Sequence, residues 1–133
     1  MSRRRPAEAH ASAVEFRTRA LGLVRQARRA GRLVIGVKQT KAAVREGRLA
    51  AALLARDLAG PRRDALARRL REAGIPLYVG WAKDELGELA GRPAVAALGI
   101  TDRHIASGLA RLAAEGSAGD AERREEEQAA WPR

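Results

Sequence analysis

The sequence contains no cysteine, and its 133 residues include only one Phe, one Tyr and two Trp. The missing cysteine excludes a disulfide framework, a thiol nucleophile and any cysteine-ligated zinc site. The shortage of aromatics excludes a platform on which successive bases could stack, which needs several exposed rings. Tyr78 and Trp81 share one apolar stretch, and strand alternation places one of such a pair in the core. No apolar run reaches the roughly 18 to 20 residues of a membrane span. The start Met1-Ser2-Arg3-Arg4-Arg5-Pro6 lacks the apolar stretch of a signal peptide, so a cytoplasmic address without membrane association is expected. Acids are also scarce: 16 Asp and Glu face 26 Lys and Arg, a formal charge of +10. That excess is beyond what solubility needs and points to a polyanionic partner, nucleic acid first.

What the chain does have is length for one domain and small aliphatic residues to fill it. Hydrophobic residues make up 46%, with alanine and leucine dominant, so helices are expected to carry much of the core. Residues 1–12 are charged and small and read as a disordered basic tail. Residues 116–133 open with Gly116-Ser117-Ala118-Gly119-Asp120, continue into an acidic run, and read as a disordered acidic tail. The folded domain is placed at 13–115. From Glu115 onward six acids outnumber three arginines, leaving +13 on the rest of the chain.

Within the domain, Phe16, Ala20, Leu23, Ala27 and Ala30 follow the spacing of one helical face, and Gly31 supplies a stop. Leu33-Val34-Ile35 reads as a strand, Gly36 as a turn, and Val37 to Glu46 as a second helix. Leu49 to Ala55 is a continuous apolar run that suits a strand covered on both faces, although its alanines also tolerate a helix. A helix opening at Pro61 and ending before Gly74 follows, then a strand over 76–81 and a short helix over 83–90. A last strand spans 94–100, and a helix capped by Thr101 or Asp102 runs to about Ala114. The alternation favours a sheet between helical layers.

Candidate chemistry gathers at Gly36-Val37-Lys38-Gln39-Thr40-Lys41, where a strand feeding a helix leaves backbone N–H groups free to hold phosphate. Lys38, Lys41, Arg45 and Arg48 give that helix a basic edge, and Gln39 has a donor and an acceptor for a base edge. Arg25, Arg28, Arg29 and Arg32 form a second cluster that leads into the turn. Arg62, Arg63, Arg68, Arg69 and Arg71 form a third, read as solvated surface. Nothing points to catalysis. His10 and His104 lack partners of metal-ligating or nucleophilic type, and Asp84, Glu85 and Glu88 lie where carboxylates favour a helix dipole. Ser12, Ser107 and Ser117 have no nucleophile-elbow setting. A non-enzyme without cofactor or metal is expected.

The order of these elements resembles the kink-turn RNA-binding ribosomal protein family, the L-seven-Ae and L-thirty-e superfamily, in its small bacterial form. The segments that carry the resemblance are Ala27 to Gly36, Lys38-Gln39-Thr40, Gly74-Ile75-Pro76 and Glu85-Leu86-Gly87. It extends over about residues 20 to 112. It implies a three-layer α-β-α sandwich with a four-stranded mixed sheet. It also implies that the turn after the first strand, here Gly36, Lys38, Gln39 and Thr40, contacts tandem G·A pairs of a kinked RNA. A loop matching Arg92, Pro93, Ala94 and Val95 covers a flipped-out nucleotide. One departure is Ala42, where many relatives carry lysine. The expected partner is structured RNA, ribosomal or otherwise kink-turn-containing, with ribosomal proteins as further partners, bound by a monomer that stabilises the folded RNA. The rival reading is a protein-interaction or ribosome-assembly module of the same fold whose contact with RNA is nonspecific.

Overall fold

The computed structural model describes the backbone of residues 8–10 and 14–128 and the side chains of residues 14–115. Along the chain the elements are β1 (Glu8–His10), α1 (Val14–Arg29), β2 (Leu33–Ile35), α2 (Val37–Arg45) and β3 (Ala51–Ala55). They continue with α3 (Pro61–Glu72), β4 (Leu77–Trp81), α4 (Lys83–Ala90), β5 (Ala97–Ile100) and α5 (Arg103–Gln128). The strands make one mixed sheet in the order β1-β4-β3-β5-β2. β4 runs parallel to β1 and β3, and β5 runs antiparallel to β3 and β2. Helices α1, α4 and α5 pack together, as do α2 and α3. The α-β-α sandwich with a four-stranded mixed sheet is therefore present in β2 to β5, and β1 adds a short strand at its edge.

Both flanks expected to be tails contribute structure, although residues 1–7, 11–13 and 129–133 lie outside the described residues. An open sheet edge presents unpaired N–H and C=O groups, and Glu8–His10 takes up those of β4 from Leu77 to Val79. At the other end, α5 continues to Gln128 instead of stopping near Ala114. Gly116 and Gly119 cost a helix only about 1 kcal/mol each relative to alanine, and the residues after Asp120 are strong helix formers. β2 and α4 have the expected bounds, and the other element boundaries depart by at most three residues. β3 begins at Ala51, with Leu49 buried ahead of it, and β5 begins at Ala97 because the preceding residues double back, the Val95 amide donating to Lys83 O at 2.9 Å. Asp102, not Thr101, caps α5. It accepts from the amides of His104 at 2.8 Å and Ile105 at 3.0 Å, which hold its carboxyl below the ordinary range.

Every residue of β3 and of β5 is buried, as a continuous apolar run between two helical layers requires. The first helix presents Phe16, Ala20, Val24 and Ala27 to the core, with Val24 in place of the expected Leu23. Tyr78 and Trp81 are both buried, where alternation alone expected one. Leu77 and Val79 are buried as well, so both faces of β4 are covered, and a register irregularity against β3 sets the two rings on one side: Leu54 is opposite Val79 but Ala55 is opposite Trp81, so Gly80 is skipped. That extra residue returns Trp81 to the side of Tyr78. Phe16 of α1 then meets both rings, at centroid distances of 5.9 and 6.0 Å.

An ionic clamp joins the layers at the open end of the sheet. Glu85 accepts from Arg17 at 2.6 Å, from Arg56 at 3.1 Å and from the Ala82 amide at 2.8 Å, so one carboxylate ties together α1, the end of β3 and the start of α4. The Ala82 amide lowers its pKa most; partial desolvation opposes this, and Arg56 and Arg17 lower it further, leaving it below its ordinary 4.5. A depressed carboxylate stabilises the fold above its unfolded pKa, and that contribution disappears as pH falls through the folded value. Replacing Glu85→Gln is therefore expected to lower the melting temperature at neutral pH and to make little difference in acid below the folded pKa. Thermal unfolding of both proteins across that range checks it; a gap that stays constant with pH would show that the clamp does not act through its charge.

Candidate functional site

The turn between β2 and α2 is built by Gly36, which adopts φ 100 and ψ 159, a region open essentially only to glycine. Its amide donates to Ala97 O at 2.8 Å, and its carbonyl accepts both the Thr40 amide at 3.0 Å and the Thr40 hydroxyl at 2.7 Å. Glycine brings no side chain to cap the helix, so the first-turn amides of Val37, Lys38 and Gln39 face the space beyond the N-terminus. Lys38 and Gln39 are exposed there. Thr40 is fully buried and spends its hydroxyl on the turn, which makes it a support behind the site.

The second element, residues 92–95, lies beside this turn because β2 and β5 are antiparallel. Ile35 is paired with Leu98, so the end of one strand abuts the start of the other. The loop is anchored on α4. The Arg92 amide donates to Gly87 O at 2.7 Å, and a Cβ on Gly87 would lie 2.5 Å from Arg92 O and 2.8 Å from the Ala94 backbone. Arg92, Pro93 and Ala94 are exposed, whereas Val95 is buried and fixes the loop from below.

Of the cations read from the sequence, the structure brings Arg28 to this loop. Its guanidinium donates to Leu89 O at 3.3 Å and lies over Gly91, which ends α4 in the left-handed conformation. The loop thus runs between Arg28 at one end and the Gly36 turn at the other. Arg29 and Arg32 are exposed, but Arg32 sits at the opposite end of β2, where its carbonyl accepts from Thr101. Lys41 is half-buried along α2, and Arg45 is exposed at its far end. Among the described residues, no ion pair engages Arg28, Arg29, Arg32, Lys38, Lys41, Arg45 or Arg92. No cluster of three or more metal-ligating side chains occurs among them either. The supporting part played by Gly87 was not read from the sequence. Its signal was a glycine inside a helical pattern, where close approach of another backbone is one standard reason.

A family model described as ribosomal protein L7Ae/L30e/S12e/Gadd45 matches residues 18–109. The chain belongs to this family. The matched span includes the turn, the loop and every strand of the four-stranded sheet. Among solved structures, a protein of unknown function from Bacillus halodurans is 27% identical with a TM-score of 0.66, over 70% of this chain and 94% of that one. A 15.5kD RNA-binding protein of Giardia lamblia has the same TM-score, 0.66, at 18% identity, over 89% of this chain and 98% of that one, a likeness of fold. No curated protein matches.

Two glycines of the site are expected to fail for different reasons when changed to alanine. At Gly36 nothing lies within 4 Å of the added Cβ, so the cost is backbone conformation alone, about 1 to 3 kcal/mol. At Gly87 the conformation is ordinary and the cost is overpacking against the loop, again roughly 1 to 3 kcal/mol. Denaturant unfolding measures both, and an unchanged stability for Gly36→Ala would contradict the strained turn.

Proposed function

We propose that this domain binds structured RNA through the surface formed by the α2 N-terminus and the 92–95 loop, and that the RNA is of the kink-turn type. The observation that carries the reading is the juxtaposition made by the β2–β5 pairing. It sets uncapped amides, an exposed glutamine and unpaired cations beside a short loop with Pro93 and Ala94 at its tip. Free amides and Lys38 suit phosphate; Gln39 suits a base edge; Pro93 and Ala94 offer an apolar lid for an unstacked base. Membership in a family described by ribosomal proteins, and a structural relative described as RNA-binding, support the same partner. Three of the chain's aromatic rings are sealed in the core, so recognition rests on hydrogen bonds and charge instead of stacking. Among the described residues no helix is long and apolar enough to cross a membrane. A cytoplasmic setting on ribosomal or related RNA, without catalysis, completes the proposal.

The roles assigned to Gln39 and Arg28 separate in one titration. Gln39→Ala is expected to cost on the order of 1 to 3 kcal/mol on a kinked RNA and little on a straight duplex, so discrimination shrinks. Arg28→Ala is expected to weaken both RNAs alike and to lower the slope of affinity against salt by about one unit. Equal losses on the two RNAs for Gln39→Ala would remove the base-reading role.

A further inference from the structure

The charge of the molecule is divided unequally between its two helical layers. Helices α2 and α3 carry eight basic residues against two acidic ones, a net of +6. Over the residues whose side chains are described, helices α1, α4 and α5 carry eight basic residues against five acidic ones, a net of +3. Ion pairing follows the same division. The pairs that reach across elements, Arg17–Glu85, Arg56–Glu85 and Arg19–Glu115, all involve α1, α4 or α5. On α3, Arg63 approaches its neighbour Asp64 at 4.0 Å. Arg62, Arg68 and Arg69 are exposed, and no acid among the described residues pairs with them.

A merely solubilising surface intersperses both signs, whereas a one-signed face adds self-repulsion and a field that attracts the opposite charge. By sequence alone the α3 arginines read as solubilising surface, but the packing of α3 beside α2 places them in the same layer as Lys38, Lys41 and Arg45. We propose that the outer face of α2 and α3 is a second, sequence-independent surface for the phosphate backbone of RNA, extending from the turn site across the sandwich. With α3 roughly 18 Å long at 1.5 Å per residue, the face is large enough to follow one strand of a duplex arm. The identity of the polyanion rests on the RNA-binding reading above, while the face itself does not depend on the turn and loop. Such a surface reads no sequence; it adds affinity and salt dependence to whatever the turn selects.

The test compares three full-length proteins by fluorescence anisotropy at several salt concentrations, on a straight RNA duplex and on the same duplex interrupted by a kink. One is unchanged, one carries Arg62→Gln, Arg68→Gln and Arg69→Gln, and a control carries Arg19→Gln, Arg103→Gln and Arg111→Gln on the opposite layer. The α3 variant is expected to lower the salt slope by about two to three units on both RNAs and to keep their affinity ratio. The control is expected to leave the slope nearly unchanged. An α3 variant that matches the unchanged protein overturns the proposal, and so does a control that loses as much, because net charge alone would then explain the effect. Should the triple variant melt at a markedly lower temperature, Arg68→Gln alone tests the same face, with about one unit expected. Gln39→Ala in the same assay keeps the two sites apart. Undiminished discrimination there with a lowered slope in the α3 variant removes the turn site and leaves the face; shrunken discrimination with an unchanged slope does the reverse.

Discussion

The pairing of β2 with β5 organises everything else of functional interest. These strands are separated by some sixty residues of chain, yet Leu33–Ile35 lies antiparallel to Leu98–Ile100, and the Gly36 amide extends the ladder to Ala97. Without that register, the helix terminus and the 92–95 loop would belong to unrelated parts of the surface. The constraint is strict because a slip of one residue exchanges the two faces of a strand. β5 sets Gly99 between Leu98 and Ile100, and a Cβ at Gly99 would lie 2.5 Å from the Leu49 side chain, so such a slip would force a bulky residue into that gap.

Core and site use different chemistry, and the division lets each be specified independently. The interior is made of alanine, leucine, valine and isoleucine with a single aromatic group around Phe16, while cations are left at the periphery. Thr40 is the sole buried polar residue among those described, and it sits where the two meet. Its hydroxyl satisfies the carbonyl of Gly36 from within, so a buried polar group has its partner and the turn is held without a side chain that would obstruct the outer surface.

Much of this was legible in the sequence. Helical spacing and short apolar runs located all the elements from α1 to α5, and Gly31, Gly36, Gly60 and Gly91, each now at positive φ, marked the junctions between them. The basic edge that Lys38, Lys41 and Arg45 give α2 followed from helical spacing alone. Other features depended on tertiary partners and left little local trace. Glu8–His10 becomes a strand because β4 has an open edge, not because its own residues prefer one. Trp81 joins Tyr78 through a slip in register that is a property of two strands together. The support Gly87 gives to the loop is visible only once a backbone passes within van der Waals distance, and the polarity of charge between layers only once the topology assigns each helix to a side.

The place of β5 in the sheet also bears on how the protein comes into being at the ribosome exit. It is the last of these five strands to be synthesised, yet it lies inside the sheet, with β3 on one side and β2 on the other. Until Ile100 has emerged, the growing chain holds β2 without a strand to pair with and β3 with one edge open. A chain terminated before Ala97 therefore lacks the strand that joins β2 to β3, and with it the pairing that sets the 92–95 loop beside the start of α2. Closure of the sheet and assembly of the turn-and-loop site are a single event.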